Sequence, residues 1–148
     1  DSIPGRLDMI VLHLVLVLRR LRAGSPTSQA LFQPLFDRFC RDMDDNFREM
    51  GVGDLAVPKR MQKVAETFYG RAKVYEAALV NGDAGALAAA VGRNVLDEGE
   101  PGLGARRLAA YMQEAVRALD GQDSEALSRG RINFPDAAAI AAPTGTES

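Results

Sequence analysis

Cysteine and histidine occur once each, at Cys40 and His13. A single cysteine excludes an internal disulfide, so the fold needs no oxidising compartment. These two side chains are also too few for a transition-metal site, which takes about four ligands. An excess of charge of one sign is missing as well: 18 Lys and Arg stand against 20 Asp and Glu, a formal net charge of -2. Nucleic-acid binders normally cluster surplus cations on one face, so composition argues against that class. The longest apolar run, Leu7 to Leu21, contains His13 and falls short of the about 20 residues a spanning helix requires. No alternating strand pattern and no repeat of fixed period is found. No secretory signal is visible, and Asp1 is not an initiator methionine, so a segment upstream of it is expected.

What is present is helical periodicity. The chain has 148 residues and 47% hydrophobic content, enough for one globular domain over 1–148. Leu7 to Leu21 is apolar almost all round, with Asp8 at one end and Arg19, Arg20 and Arg22 at the other. It reads as a buried core helix with charges complementary to its dipole, although Val11, Val15 and Val17 leave a strand open. Ser25 and Pro26 offer a cap and an early proline for a second helix, which Pro34 either kinks or splits. Phe36, Phe39, Cys40, Met43, Phe47 and Met50 then recur at helical spacing, opposite Asp37, Arg38, Arg41, Asp44, Asp45 and Arg48. Gly51 and Gly53 suit a left-handed stop, and Asp54 is placed to cap the next helix.

That helix is predicted from about Leu55 to Leu79, with Met61, Val64, Ala65, Phe68, Ala72, Tyr75 and Leu79 as its apolar stripe. Its first turns carry Lys59, Arg60 and Lys63, expected to attract the acidic end of the preceding helix across the glycine turn. Beyond Asn81-Gly82-Asp83 an alanine-rich helix runs from Ala84 to about Leu96. A Gly/Pro loop at Asp97 to Gly104 comes next, then an amphipathic helix from Ala105 to Leu119. A few turns at Asp123 to Ser128 precede an extended Gly130 to Pro135, and the tail from about Ala137 is expected to be disordered. The fold class is therefore all-α: one compact bundle of about five to six helices with an extended C-terminal segment.

No catalytic, cofactor or metal set emerges from these residues. An EF-hand loop starting at Asp42 needs glycine sixth and glutamate twelfth, where Phe47 and Gly53 stand. A diphosphate-binding magnesium site needs further carboxylates facing it, and Asp44-Asp45-Asn46-Phe47-Arg48 lacks the second acidic end. Glycines 99, 102 and 104 do not follow a strand or carry a phosphate-loop lysine. His13 reads as a neutral core imidazole, and Cys40, among phenylalanines, as a small hydrophobe. Interaction chemistry remains. Tyr69, Arg71, Lys73 and Tyr75 mix aromatic and cationic groups as contact surfaces do, and as solvated helix faces also do.

Three stretches carry a resemblance. These are Leu7-Asp-Met-Ile-Val-Leu-His-Leu through Arg19-Arg20-Leu21, Asp42 through Arg48-Glu-Met-Gly-Val-Gly-Asp-Leu-Ala-Val57, and Lys59-Arg60-Met61 with Phe68-Tyr69-Gly70-Arg71 and Tyr75. Together they resemble the ubiquinol-cytochrome c chaperone family over roughly Leu7 to Pro135. The resemblance implies an all-helical, non-enzymatic assembly factor of the respiratory cytochrome bc complex without a cofactor, whose client is newly made cytochrome b. The expected partner-binding residues are Asp42, Asp44, Asp45, Arg48, Glu49, Lys59, Lys63, Arg71 and Tyr75, with Met43, Met50, Met61 and Met112 as adaptable apolar contacts. Other open roles are docking to the ribosome or another assembly factor through Lys59, Arg60, Lys63 and Arg71, or binding lipid or isoprenoid between the first and third helices. Peripheral membrane association is compatible with each. Alanine, glycine and arginine bias resembles a bacterial member, expected in the cytoplasm near the inner face of the inner membrane; the mitochondrial matrix face is the alternative.

Overall fold

A computed structural model describes residues 3–140. Among them are five long helices and two single-turn ones: α1 (Ile3–Arg22), α2 (Pro26–Gln29), α3 (Phe32–Glu49), α4 (Val57–Val80), α5 (Ala84–Asn94), α6 (Leu103–Asp120) and α7 (Ser124–Ser128). No strand occurs among the described residues, as the sequence pattern predicts. Of the tail expected to be disordered, Ala137–Ala139 form a 3-10 turn capped by the Asp136 side chain, and 141–148 lie outside the described residues.

α1 is the axis of the bundle. Val11, Leu12, Leu14 to Leu18 and Leu21 are all buried, so a helix that is apolar all round needs neighbours on several sides. α2, α3, α4 and α6 supply them, while α5 packs outside against α4 and α6. Ala88, Ala90, Gly92, Ala105 and Ala109 are buried at that outer contact, where small residues allow close approach. A Cβ on Gly92 would already sit 3.4 Å from that of Ala105. An aromatic cluster joins α3 to α4: Phe36 and Phe68 have ring centroids 5.0 Å apart, with Phe39 and Tyr69 beside them.

Helix ends explain the boundaries. Pro34 falls in the first turn of α3, where backbone N–H groups have no helical partner, so the chain splits before it instead of kinking at it. α3 stops in a Schellman motif. Gly51 takes φ 86°, its N–H reaches Arg48 O, and the Val52 N–H reaches Phe47 O at 3.0 Å. Gly53 shows no such conformation, and Asp54 does not cap α4, which begins three residues later at Val57. The Gly53 carbonyl takes the Ala56 and Val57 N–H groups instead. Asp8, expected to complement the N-terminus of α1, sits inside a longer helix that begins at Ile3.

The α1–α2 corner is held by a polar bracket. Buried Ser28 donates to Leu21 O at 2.8 Å, and Arg20 donates to Leu119 O at 2.8 Å and Gln122 O at 2.9 Å, satisfying carbonyls at the ends of α1 and α6. Gly24 is required there, because a Cβ would lie 2.3 Å from Ser28 Oγ and 2.8 Å from the Arg20 guanidinium. Gly24→Ala is therefore expected to lower stability by about 1–3 kcal/mol through displacement of both groups. A melt followed by circular dichroism checks this, and an unchanged melting temperature would show that the bracket yields freely.

Candidate functional site

The charged joint around Gly51 folds differently from its expected pairing. Asp42 accepts from Arg38 at 3.0 Å and Asp44 from Arg48 at 3.0 Å, both one turn apart on α3. Arg48 also pairs with Asp54, the one ion pair across the turn among the described residues. Lys59, Arg60 and Lys63 do not meet the acids of α3. The i to i+4 geometry within a helix offers those carboxylates nearer partners, and α4 turns its cations elsewhere. They line a cavity of about 500 Å³ with Leu7, Phe47, Val64 and Thr67, and the Arg60 guanidinium lies 6.0 Å from the centre of the Phe47 ring. Asp45 and Glu49 remain exposed on α3.

Two expected contact residues are placed in the interior. Arg71 pairs with Asp8 across the α1–α4 interface, where both side chains are only 17% exposed. Tyr75 is 0% exposed. Its position on the apolar stripe of α4 therefore outweighs the aromatic–cationic composition of its surroundings. Burial pushes the Tyr75 hydroxyl above its ordinary pKa, and the neighbouring Asn94 amide opposes this only in part. The hydroxyl makes no hydrogen bond of ordinary geometry. Tyr69, by contrast, is largely exposed. Burial likewise raises the Cys40 thiol, and nearby Asp37 adds to it, which keeps the sulfur protonated and poorly nucleophilic.

A second site has almost no signature in the sequence. Met9, Ile10, His13, Leu14 and Val17 of α1, with Leu35 of α3 and Ile132 and Phe134 of the C-terminal segment, line an almost wholly apolar groove of about 400 Å³. Its far wall is fixed. Gln122 clasps Asn133 through two bonds, donating to its carbonyl at 2.6 Å and accepting from its N–H at 3.2 Å. Phe134 thereby meets His13 edge-on, with centroids 5.0 Å apart. His13 is held in turn: Nδ1 donates to Met9 O at 2.8 Å, and Nε2 bonds the Tyr111 hydroxyl at 2.8 Å. The carbonyl requires Nδ1 to carry a proton, and in the neutral ring Nε2 then accepts from the hydroxyl. Ile10 is still 47% exposed and Phe134 39%. The one available signal is the pair Ile132 and Phe134 in a segment without helical period.

No three His, Cys, Asp or Glu side chains among the described residues come together as a metal site, and no helix there is long and apolar enough to cross a membrane. What the arrangement can do is bind: one groove apolar, one apolar with a cationic rim, and an anionic helix face between charged turns. Asp8→Ala, which strands Arg71, is expected to cost about 2 kcal/mol. Asp45→Lys, on open surface, should change stability by less than about 0.5 kcal/mol. Urea denaturation of the two variants separates the interior pair from the exposed charge.

Comparison with known proteins agrees with this helical architecture. No curated protein matches the chain. A crystal structure of the Cbp3 homolog from Brucella abortus matches with a TM-score of 0.85 and 41% identity, covering 95% of this chain and 78% of that one. The family model described as ubiquinol-cytochrome C chaperone matches residues 1–134, which takes in all five long helices, the apolar groove and the cation-rimmed groove. The chain belongs to the ubiquinol-cytochrome C chaperone family.

Proposed function

We propose that this chain is a non-enzymatic assembly chaperone of the cytochrome bc complex that binds newly made cytochrome b through the apolar groove on α1. The observation that carries the reading is the groove itself. A family member with a nearly all-apolar concavity, walled by a segment clasped in place, is suited to the apolar side chains of a membrane protein before its integration. Met9 lines the groove, and its flexible thioether can adapt to more than one client side chain.

The exposed carboxylates Asp42, Asp45 and Glu49, with the Asp44–Arg48 pair, form a separate face for a second protein such as another assembly factor. Charges at such a rim govern encounter and orientation more than affinity. The working place consistent with these surfaces is the cytoplasm, beside the inner face of a bacterial inner membrane, where cytochrome b is inserted.

Ile10→Glu places a charge in the groove at a half-exposed position. It should leave the melting temperature within a few degrees and lower capture of cytochrome b at least about tenfold, since a buried uncompensated charge strongly disfavours docking. Co-purification from cells translating tagged cytochrome b checks this. Undiminished capture by a folded Ile10→Glu protein would contradict the groove assignment, and no capture by the wild type would contradict the client.

A further inference from the structure

The cation-rimmed groove has no role in the client reading. Its lining is lopsided in charge: Lys59, Arg60 and Lys63 stand around Leu7, Phe47, Val64 and Thr67, with no carboxylate among them. Lys59 and Lys63 are one helical turn apart, so both ammonium groups reach the same space. Neither makes an ion pair among the described residues, since the nearby acids of α3 are bound to Arg38 and Arg48 or exposed elsewhere. Between two of its lining residues, Phe47 and Lys59, the chain turns from α3 to α4 and carries Leu55, 98% exposed, and Met50, 56% exposed. Large apolar side chains this bare beside unpaired cations match the pattern of an interfacial membrane contact, where apolar groups enter the headgroup boundary and cations meet lipid phosphate.

We propose that this groove binds an anionic phospholipid at the membrane surface, with the phosphate on Lys59 and Lys63, the first methylenes on Leu7, Phe47 and Val64, and Leu55 and Met50 inserted beside it. Charge complementarity selects an anion, and the apolar floor selects an amphiphile over free phosphate. The size of the floor selects lipid over an acidic helix. Three side chains cannot offer the anchors over two turns that a helix in a groove uses. Asp45 and Glu49 do not line the cavity, and Asp44 is matched by Arg48, so the local field in the groove is positive.

The test is co-sedimentation of the full chain with vesicles of phosphatidylcholine alone or with about a third phosphatidylglycerol. Binding should require the anionic lipid and weaken as salt rises. Lys59→Gln with Lys63→Gln should lower the vesicle partition about thirtyfold, given the usual contribution of each basic residue near an anionic surface. Leu55→Asp should lower it too, with the thermal melt unchanged. Equal binding to both vesicle types, no binding to either, or full binding by a folded double-lysine variant would each overturn the proposal. So would failure with vesicles combined with saturable binding of a soluble acidic amphipathic peptide, which would assign the groove to a protein. Capture of cytochrome b reports on the α1 groove alone, so failure of one proposal is distinguishable from failure of the other.

Discussion

A helix that is apolar around its whole circumference must be enclosed, and the bundle is organised by how α1 is enclosed. α4, α6 and the aromatic-rich α3 each cover part of it, and Arg20 and Ser28 fix its C-terminal end by satisfying carbonyls at the corner. The Asp8–Arg71 pair crosses the α1–α4 interface nearer the other end. Enclosure is incomplete at Met9, Ile10 and His13, beside the buried Leu14 and Val17, where the cover is one extended segment and the edge of α3. The same property that builds the core thus leaves an apolar strip at its boundary. The proposed client docking would use surplus hydrophobic surface of this kind, and a narrow strip keeps the exposed apolar patch small.

Rigidity of the groove comes from polar contacts. His13 is fixed at both nitrogens, Tyr111 is anchored by it, and Gln122 holds Asn133 so that Phe134 stays at the rim. A wall clasped this way loses little freedom when a client docks, which favours binding without demanding a large interface. The α3–α4 joint is built on the opposite principle. Its charges are exposed, its end is set by the left-handed backbone of Gly51, and its apolar tip is unsupported by the core.

Legibility in the sequence tracks the range of the interaction. Helix existence and order are readable because periodicity and caps are local: Gly51, Gly82 and Asp83 end or start helices where expected. The Asp54 cap fails because a turn intervenes before α4, and α1 begins earlier than its apolar run. Pairing is harder. Asp8 and Arg71 lie 63 positions apart, and nothing local distinguishes that pair from a dipole-matched acid and a surface cation. Tyr75 carries both signals, and its place on the stripe decides its burial. The groove on α1 leaves only the Ile132 and Phe134 pair as a signal in the sequence, because Phe134 reaches His13 through the fold, from the opposite end of the chain.

Docking of the client on the uncovered strip of α1 is most directly tested by placing a photo-crosslinking amino acid at position 10 while cytochrome b is being translated. Adducts with cytochrome b from position 10, and none from position 93 on the exposed side of α5, are the predicted result. Equal adducts from both positions, or adducts from position 93 alone, would contradict it.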